Sequence, residues 1–164
     1  TPVFASHPKT KERLADVRAA GEAAGAFEGD PRRAAYQDAV RPYVGRWLEA
    51  ELTRRMYDTS VRVIGDLRAT APPDLQATYA FYLGEAFRRR GGEGDAARAE
   101  ALYAESLSLP GPPAAAWREH GLALRAAGER AAAADALRRY LALAPDAGDA
   151  AFIEQYLEEL ETSP

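Results

Sequence analysis

Two histidines, His7 and His120, are the only imidazoles in a chain of 164 residues that contains no cysteine. Imidazole and thiolate are the side chains that bind zinc and exchange protons near neutral pH, and a stable zinc site takes three or four ligands. His7 and His120 belong to different helical patterns, so the chain is expected to hold no metal of its own. No hydroxyl stands beside a base at a spacing that nucleophilic catalysis uses. The glycine-rich run Gly91-Gly92-Glu93-Gly94-Asp95 is not a phosphate loop, because no strand precedes it and no Lys-Ser or Lys-Thr follows it. It reads as the turn of a helical hairpin. These residue types argue against an independent enzyme: no catalytic, cofactor-binding or metal-binding residue is expected in this chain.

The elements that carry these residues are helical. Ala, Leu, Arg and Glu dominate the composition, Val, Ile and Thr form no extended run, and Gly and Pro fall between helical patterns. At 164 residues the chain is one ordinary domain or a short repeat array. A net charge of −4 and a pI of about 5.3 give no electrostatic reason to bind nucleic acid or an anionic membrane. No apolar run approaches the roughly 20 residues that a membrane-spanning helix needs. Without cysteine the redox compartment cannot be read. Because the chain opens on Thr1 rather than Met and shows no signal-peptide pattern, it is expected to be a fragment or a processed form.

At the start a short apolar lead turns at His7-Pro8 and enters a helix of about residues 10–22, with Thr10 as N-cap and Leu14 and Val17 on its apolar side. Gly25, Gly29 and Asp30 then form a linker, and Asp30-Pro31 restarts the helix as N-cap and first helical residue. From Pro31 to about Met56 the residues Tyr36, Val40, Tyr43, Val44, Trp47, Leu48 and Leu52 recur at threes and fours, as one buried face requires. Pro42 interrupts this run. It lacks an N–H and disfavours the helical conformation at Arg41, so two helices are expected to meet there. Pro72-Pro73-Asp74 stops one hairpin and caps the next. Near the C-terminus Phe152, Ile153, Tyr156, Leu157 and Leu160 lie opposite Glu154, Glu158, Glu159 and Glu161, the pattern of a helix that covers the end of a helical stack.

The middle of the chain is periodic. Trp117, Gly121, Leu124, Gly128, Ala133, Leu137, Leu141, Leu143 and Pro145 set out large, small and terminating residues in a regular order. Gly121 lets a partner helix come close, Gly128 ends the first helix with a positive φ, Ala133 is small where the second helix crosses, and Pro145 stops that helix. Ala99 to Ala133, Tyr103 to Leu137 and Leu107 to Leu141 are each 34 residues apart. This set resembles the tetratricopeptide repeat (TPR), a helix-turn-helix unit of about 34 residues. The resemblance implies an all-α, TPR-like solenoid over residues 31–164. It would hold a degenerate repeat near 41–73, two clear repeats near 74–111 and 113–146, and a capping helix at 147–161. In the degenerate repeat Trp47, Leu48, Ser60, Ile64, Leu67 and Pro72 take the positions of His120, Gly121, Ala133, Leu137, Tyr140 and Pro145. The turn at Gly91 is about three residues longer than the repeat's consensus. His120 stands where a core leucine is usual, so a half-buried, hydrogen-bonded histidine is expected.

Phe4, Ser6-His7-Pro8, Thr10, Glu12-Arg13 and Leu14 resemble the segment that closes the catalytic domain of M48-type zinc metallopeptidases. The run from Trp47 to Leu52, with Arg55 and Tyr57, is similar to the join between such domains and their repeat tails. The resemblance implies that residues 1–30 end a peptidase domain lying upstream, and that His7 would lie near the zinc of the intact enzyme. The family's HExxH helix is absent, so this chain would be inert as a peptidase, and zinc would belong to the parent protein. A bacterial cell envelope or periplasm is the compartment the resemblance favours, with the cytoplasm as the alternative.

In TPR proteins certain first-helix positions point into a concave groove. The resemblance places Phe81, Glu85 and Arg88 of one repeat and Arg118, Leu122 and Arg125 of the next in that role. Arginine forks pair bidentately with carboxylates, so a protein or peptide ligand with acidic or carbonyl-rich stretches is the expected partner, alongside the upstream peptidase domain. The other reading of these arginines is that they only solvate the surface. The Lys and Asn pattern that clamps a C-terminal carboxylate is missing. Three functions follow: a protein-protein interaction scaffold at the C-terminus of an M48-type peptidase; a regulatory or structural tail that completes or occludes the protease active site; and a stand-alone TPR adaptor.

Overall fold

The computed structural model describes residues 10–23 and 31–162, and all the regular structure in them is helical. In chain order the helices are α1 (Thr10–Ala23), α2 (Pro31–Val40), α3 (Val44–Thr53), α4 (Tyr57–Ala69), α5 (Gln76–Arg90), α6 (Asp95–Ser108), α7 (Ala114–Ala126), α8 (Arg130–Leu143) and α9 (Ala150–Thr162). Single turns of 3-10 helix, Arg41–Tyr43 and Pro73–Leu75, precede α3 and α5. The expectations for His7 and for the linker at 24–30 lie outside the described residues.

Two units divide the chain, Thr1–Val44 and Gly45–Pro164. In the first, α2 stops at Val40 and the 3-10 turn carries Pro42, so two helices meet at the proline as its missing N–H dictates. The apolar face expected there is only partly used, since Tyr36 is 65% exposed. On α3 it is the i, i+4 stripe of Val44, Leu48 and Leu52 that is buried, while Trp47, one position off that stripe, is 52% exposed.

In the second unit each helix from α4 to α9 packs on its neighbours in sequence. The pairs run antiparallel. At one end of α5 and α6, Arg90 bonds Asp95, and at the other the Ser106 hydroxyl donates to the Ala77 carbonyl at 2.8 Å. Gly84 makes this approach close: a Cβ there would lie 2.7 Å from Tyr103 Cε1 and 3.2 Å from the Ala99 carbonyl oxygen. Gly121 does the same between α7 and α8, where a Cβ would lie 2.8 Å from Leu137 Cδ2. Ala99 and Ala133, and Tyr103 and Leu137, are all buried. Ser60 and Ile64 on α4 are buried likewise, whereas Leu67, which the repeat spacing aligns with the buried Tyr140, lies at the surface.

Helix ends follow local chemistry. Gly128 takes φ +81°, and beside it the Glu129 N–H reaches back to the Leu124 carbonyl at 2.9 Å, closing α7. Gln76 Nε2 donates to the carbonyls of Arg68 and Ala71, tying the start of α5 to the end of α4. The extra residues around Gly91 go mostly into helix rather than loop, for α5 has 15 residues against 13 in α7. Asp95 braces the turn they leave: its carboxylate accepts from Arg90, the Gly92 N–H and Arg98. The Arg90 bonds, with those of Gly92 and Arg98, outweigh its burial and hold this carboxyl well below the usual range. The core lies at the seams between helices. One cluster joins Phe81, Ala99, Tyr103 and Ala116, and another joins Leu137, Tyr140 and Ile153 with Trp117, Tyr156, Leu157 and Leu160 around it.

Candidate functional site

The six residues assigned to a groove sit on α5 and α7, but they do not share one environment. Phe81 is 4% exposed, set in the α5–α6 core beside Tyr82 and Tyr103 with ring centroids 5.0 and 5.9 Å away. Glu85 is 2% exposed and therefore lines no open surface. Its carboxylate accepts from Arg88 Nε and Nη2 at 2.8 and 2.7 Å, from Arg89 at 3.0 Å and from the Tyr103 hydroxyl at 2.6 Å. Arg88, Arg118, Leu122 and Arg125 keep some access to solvent.

These bonds extend into a row of alternating charge. Arg89 bonds Glu49 of α3 at 3.1 Å, Arg88 lies 3.5 Å from Glu119 of α7, Arg118 pairs with Glu119, and Arg118 Nη1 reaches Asp149 before α9 at 2.7 Å. Asp149 also accepts the Tyr140 hydroxyl. Glu49, Arg89, Glu85, Arg88, Glu119, Arg118 and Asp149 thus alternate in sign from α3 to α9. A buried carboxylate is tolerable only when its lone pairs are filled by cations and donors, and Glu85 meets that requirement. Burial pushes Glu85 up, but the bonds from Arg88 and Tyr103 and the charges of Arg88 and Arg89 outweigh it and hold the carboxyl below its ordinary value. Burial, then the charge of Glu85 beside it, pushes the Tyr103 phenol well above its ordinary value. Asp149 is held low by the Tyr140 hydroxyl and by Arg118, whose bonds and charge overcome its burial.

Arg125 is also engaged, bonding Glu159 of α9 at 2.8 Å with its guanidinium 4.1 Å from the Tyr156 ring centroid. Sequence reasoning singled out the arginines and missed Glu49, Arg89, Glu119 and Asp149. The repeat pattern gave no signal for them: first-helix equivalents such as Gly84 and Gly121 are 37 residues apart, which sets Glu85 at the place of Leu122 and not of Glu119.

His120 is half-buried on α7, but its Nδ1 is closed from solvent without a hydrogen-bond partner, so the bond expected there is not made by that nitrogen. Trp117 is half-buried as well, with the Arg139 guanidinium 5.0 Å from its ring centroid. Together they line a shallow recess on the α7–α8 hairpin with Leu124, Ala132 and Ala136. Among the described residues no three His, Cys, Asp or Glu side chains are grouped to hold a metal ion. Among the same residues no helix is long and apolar enough to cross a membrane.

Compared with models of known protein families and with curated proteins, the chain matches none.

Proposed function

We propose that this chain is a protein- or peptide-binding helical-repeat module of the TPR type, forming the non-catalytic C-terminal part of an M48-type zinc metallopeptidase. The observation that carries the repeat reading is the recurrence of one close approach: Gly84 under Tyr103 and Gly121 under Leu137, with Ala99 and Ala133 buried beside them. Stacked hairpins of this kind present an extended surface made of equivalent positions, which suits recognition of a segment of another chain. The peptidase part of the reading rests on the sequence alone, on the residues from Phe4 to Leu14 and from Trp47 to Tyr57.

The charge row narrows what this surface offers. Arg88, Arg118 and Arg125 already have carboxylate partners, so a ligand must use their uncommitted N–H groups or the apolar gaps between helices rather than bare cations. Selection of displayed random peptides on the immobilised full chain tests the interaction reading, with titration of the enriched peptides in solution. Saturable binding is expected. Failure to enrich any sequence over an unrelated helical protein of equal charge would reject it. The peptidase reading fails separately if the coding sequence upstream of Thr1 encodes no HExxH.

A further inference from the structure

Between α6 and α7 lies a cleft of about 390 Å³ whose walls are mostly short apolar side chains, Ala96, Ala97, Leu122, Ala123 and Ala126. Two carboxylates and one guanidinium share the lining, those of Glu100, Glu119 and Arg88. Arg88 brings no free charge to it, because its Nε and Nη2 are bonded to Glu85 at 2.8 and 2.7 Å. The carboxylates are less completely engaged. Glu119 is 8% exposed, and its Oε1 accepts from Arg118 at 2.9 Å. Its Oε2 has Arg88 Nε at 3.5 Å, and no hydrogen bond fills it among the described residues. Glu100 lies exposed at the rim, and among the described residues no hydrogen bond or ion pair engages its side chain. The cleft therefore joins an apolar wall to an excess of negative charge, with an acceptor oxygen left open on a carboxylate that is otherwise buried.

We propose that this cleft receives a lysine side chain of a partner protein, its methylenes along the alanines and its ammonium donating to Glu119 Oε2 under the charge of Glu100. The inference rests on the reading of the chain as an interaction module and names what its surface takes. A lysine stem gains by covering apolar wall while its ammonium stays on a carboxylate. A carboxylate shut away from water with an unfilled acceptor favours a charged donor over a neutral one. A guanidinium is a planar fork suited to two oxygens, whereas the buried acceptor left open here is one oxygen, which an ammonium matches as a point charge. The charge selected is opposite to the one that the groove arginines suggest in the sequence, because those arginines are already paired.

The probe is the blocked peptide acetyl-Gly-Ala-Lys-Ala-Gly-amide, titrated into the isotope-labelled full chain and followed by the backbone amide shifts. Saturable shifts are expected at Ala97, Leu122 and Ala123. Norleucine in place of the lysine keeps an aliphatic stem without the ammonium and should bind at least about fivefold more weakly. Diaminopropionic acid keeps the ammonium on a much shorter stem and should lose at least as much. On the chain, Glu100→Gln removes the rim charge at an exposed helical position. The fold should be unaffected, while binding falls about two- to fivefold and loses most of its salt dependence. Ala123→Leu fills the cleft and should abolish the shifts, with helicity verifying the fold. Absence of saturable shifts overturns the proposal, as does equal binding by the lysine and norleucine peptides, or tighter binding when arginine replaces the lysine. Butylamine that saturates the same shifts more tightly than the peptide would make a small amine the occupant, and a dimer that Ala123→Leu abolishes would make it a second copy of the chain; either overturns the proposal. If selected random peptides bind but ignore both Glu100→Gln and Ala123→Leu, the interaction reading stands and this cleft does not.

Discussion

A Cβ on Gly84 would meet the Tyr103 ring at 2.7 Å, and the hydroxyl of that same ring is fixed to Glu85 at 2.6 Å. Close packing and the buried charge are therefore one arrangement: the ring cannot swing aside without leaving the carboxylate. Alanine at position 84 would gain about 1 kcal/mol in helix propensity but should lose more to overpacking, which costs about 1–3 kcal/mol. At Gly121 the obstacles are Leu137 Cδ2 and Cγ at 2.8 and 2.9 Å and Ala136 Cβ at 3.3 Å, and no hydrogen bond holds the leucine in place. Urea midpoints should therefore fall further for Gly84→Ala than for Gly121→Ala. The reverse order would mean that Tyr103 is not held in place.

Glu85 should make stability depend on acid. Its folded value lies below its ordinary 4.5, so the stabilisation is complete above that value and is lost as pH falls through the lowered one. Urea melts from neutral pH to pH 3 should show the decline, and Glu85→Gln should make it shallower. At neutral pH Glu85→Ala leaves Arg88, Arg89 and Tyr103 without their shared acceptor and should cost about 3–5 kcal/mol. A loss under about 1 kcal/mol would show that the carboxylate is not buried in solution.

Trp117→Ala should cost less than a core tryptophan does. Its ring is half-buried and carries Arg139 over its face, so about half of the 3–5 kcal/mol typical of a buried aromatic is expected, roughly 1–3 kcal/mol. Denaturant melts of the single variant decide it. A cost above 4 kcal/mol would place Trp117 in the core.

Arg55 holds a φ of +58° between α3 and α4, where an L side chain is strained. Arg55→Gly should raise stability by about 0.5–1 kcal/mol, because the relief of strain exceeds the entropy glycine adds to the unfolded chain. A lower melting temperature would mean that the arginine side chain contributes more than its backbone costs.

The helices and their turns were legible because they depend on neighbours in sequence. Gly128 ends α7, Pro42 separates α2 from α3, and the 34-residue spacing pairs Tyr103 with Leu137. Burial of Glu85 and Phe81 was not legible, since a glutamate at a helix-A position reads as surface until Tyr103, 18 residues on, is seen to donate to it. The same partner changes what an Arg88 and Arg125 double alanine variant should do. Near-neutral stability is expected of two solvated arginines, but Arg88 bonds a carboxylate that is 2% exposed, so its removal is destabilising. Trp47 and Trp117 show a further limit: periodicity assigns a face to a helix but not how far the adjacent helix covers it.

Within residues 45–164 no described hydrogen bond spans more than the 40 residues between Glu49 and Arg89. A chain whose contacts are this local has a low contact order, so little loop entropy is lost before favourable contacts form, and folding on the microsecond-to-millisecond scale is the norm. Any one hairpin can nucleate the rest. During synthesis, α5 and α6 can close on each other as soon as both have left the ribosome, before α9 has been made.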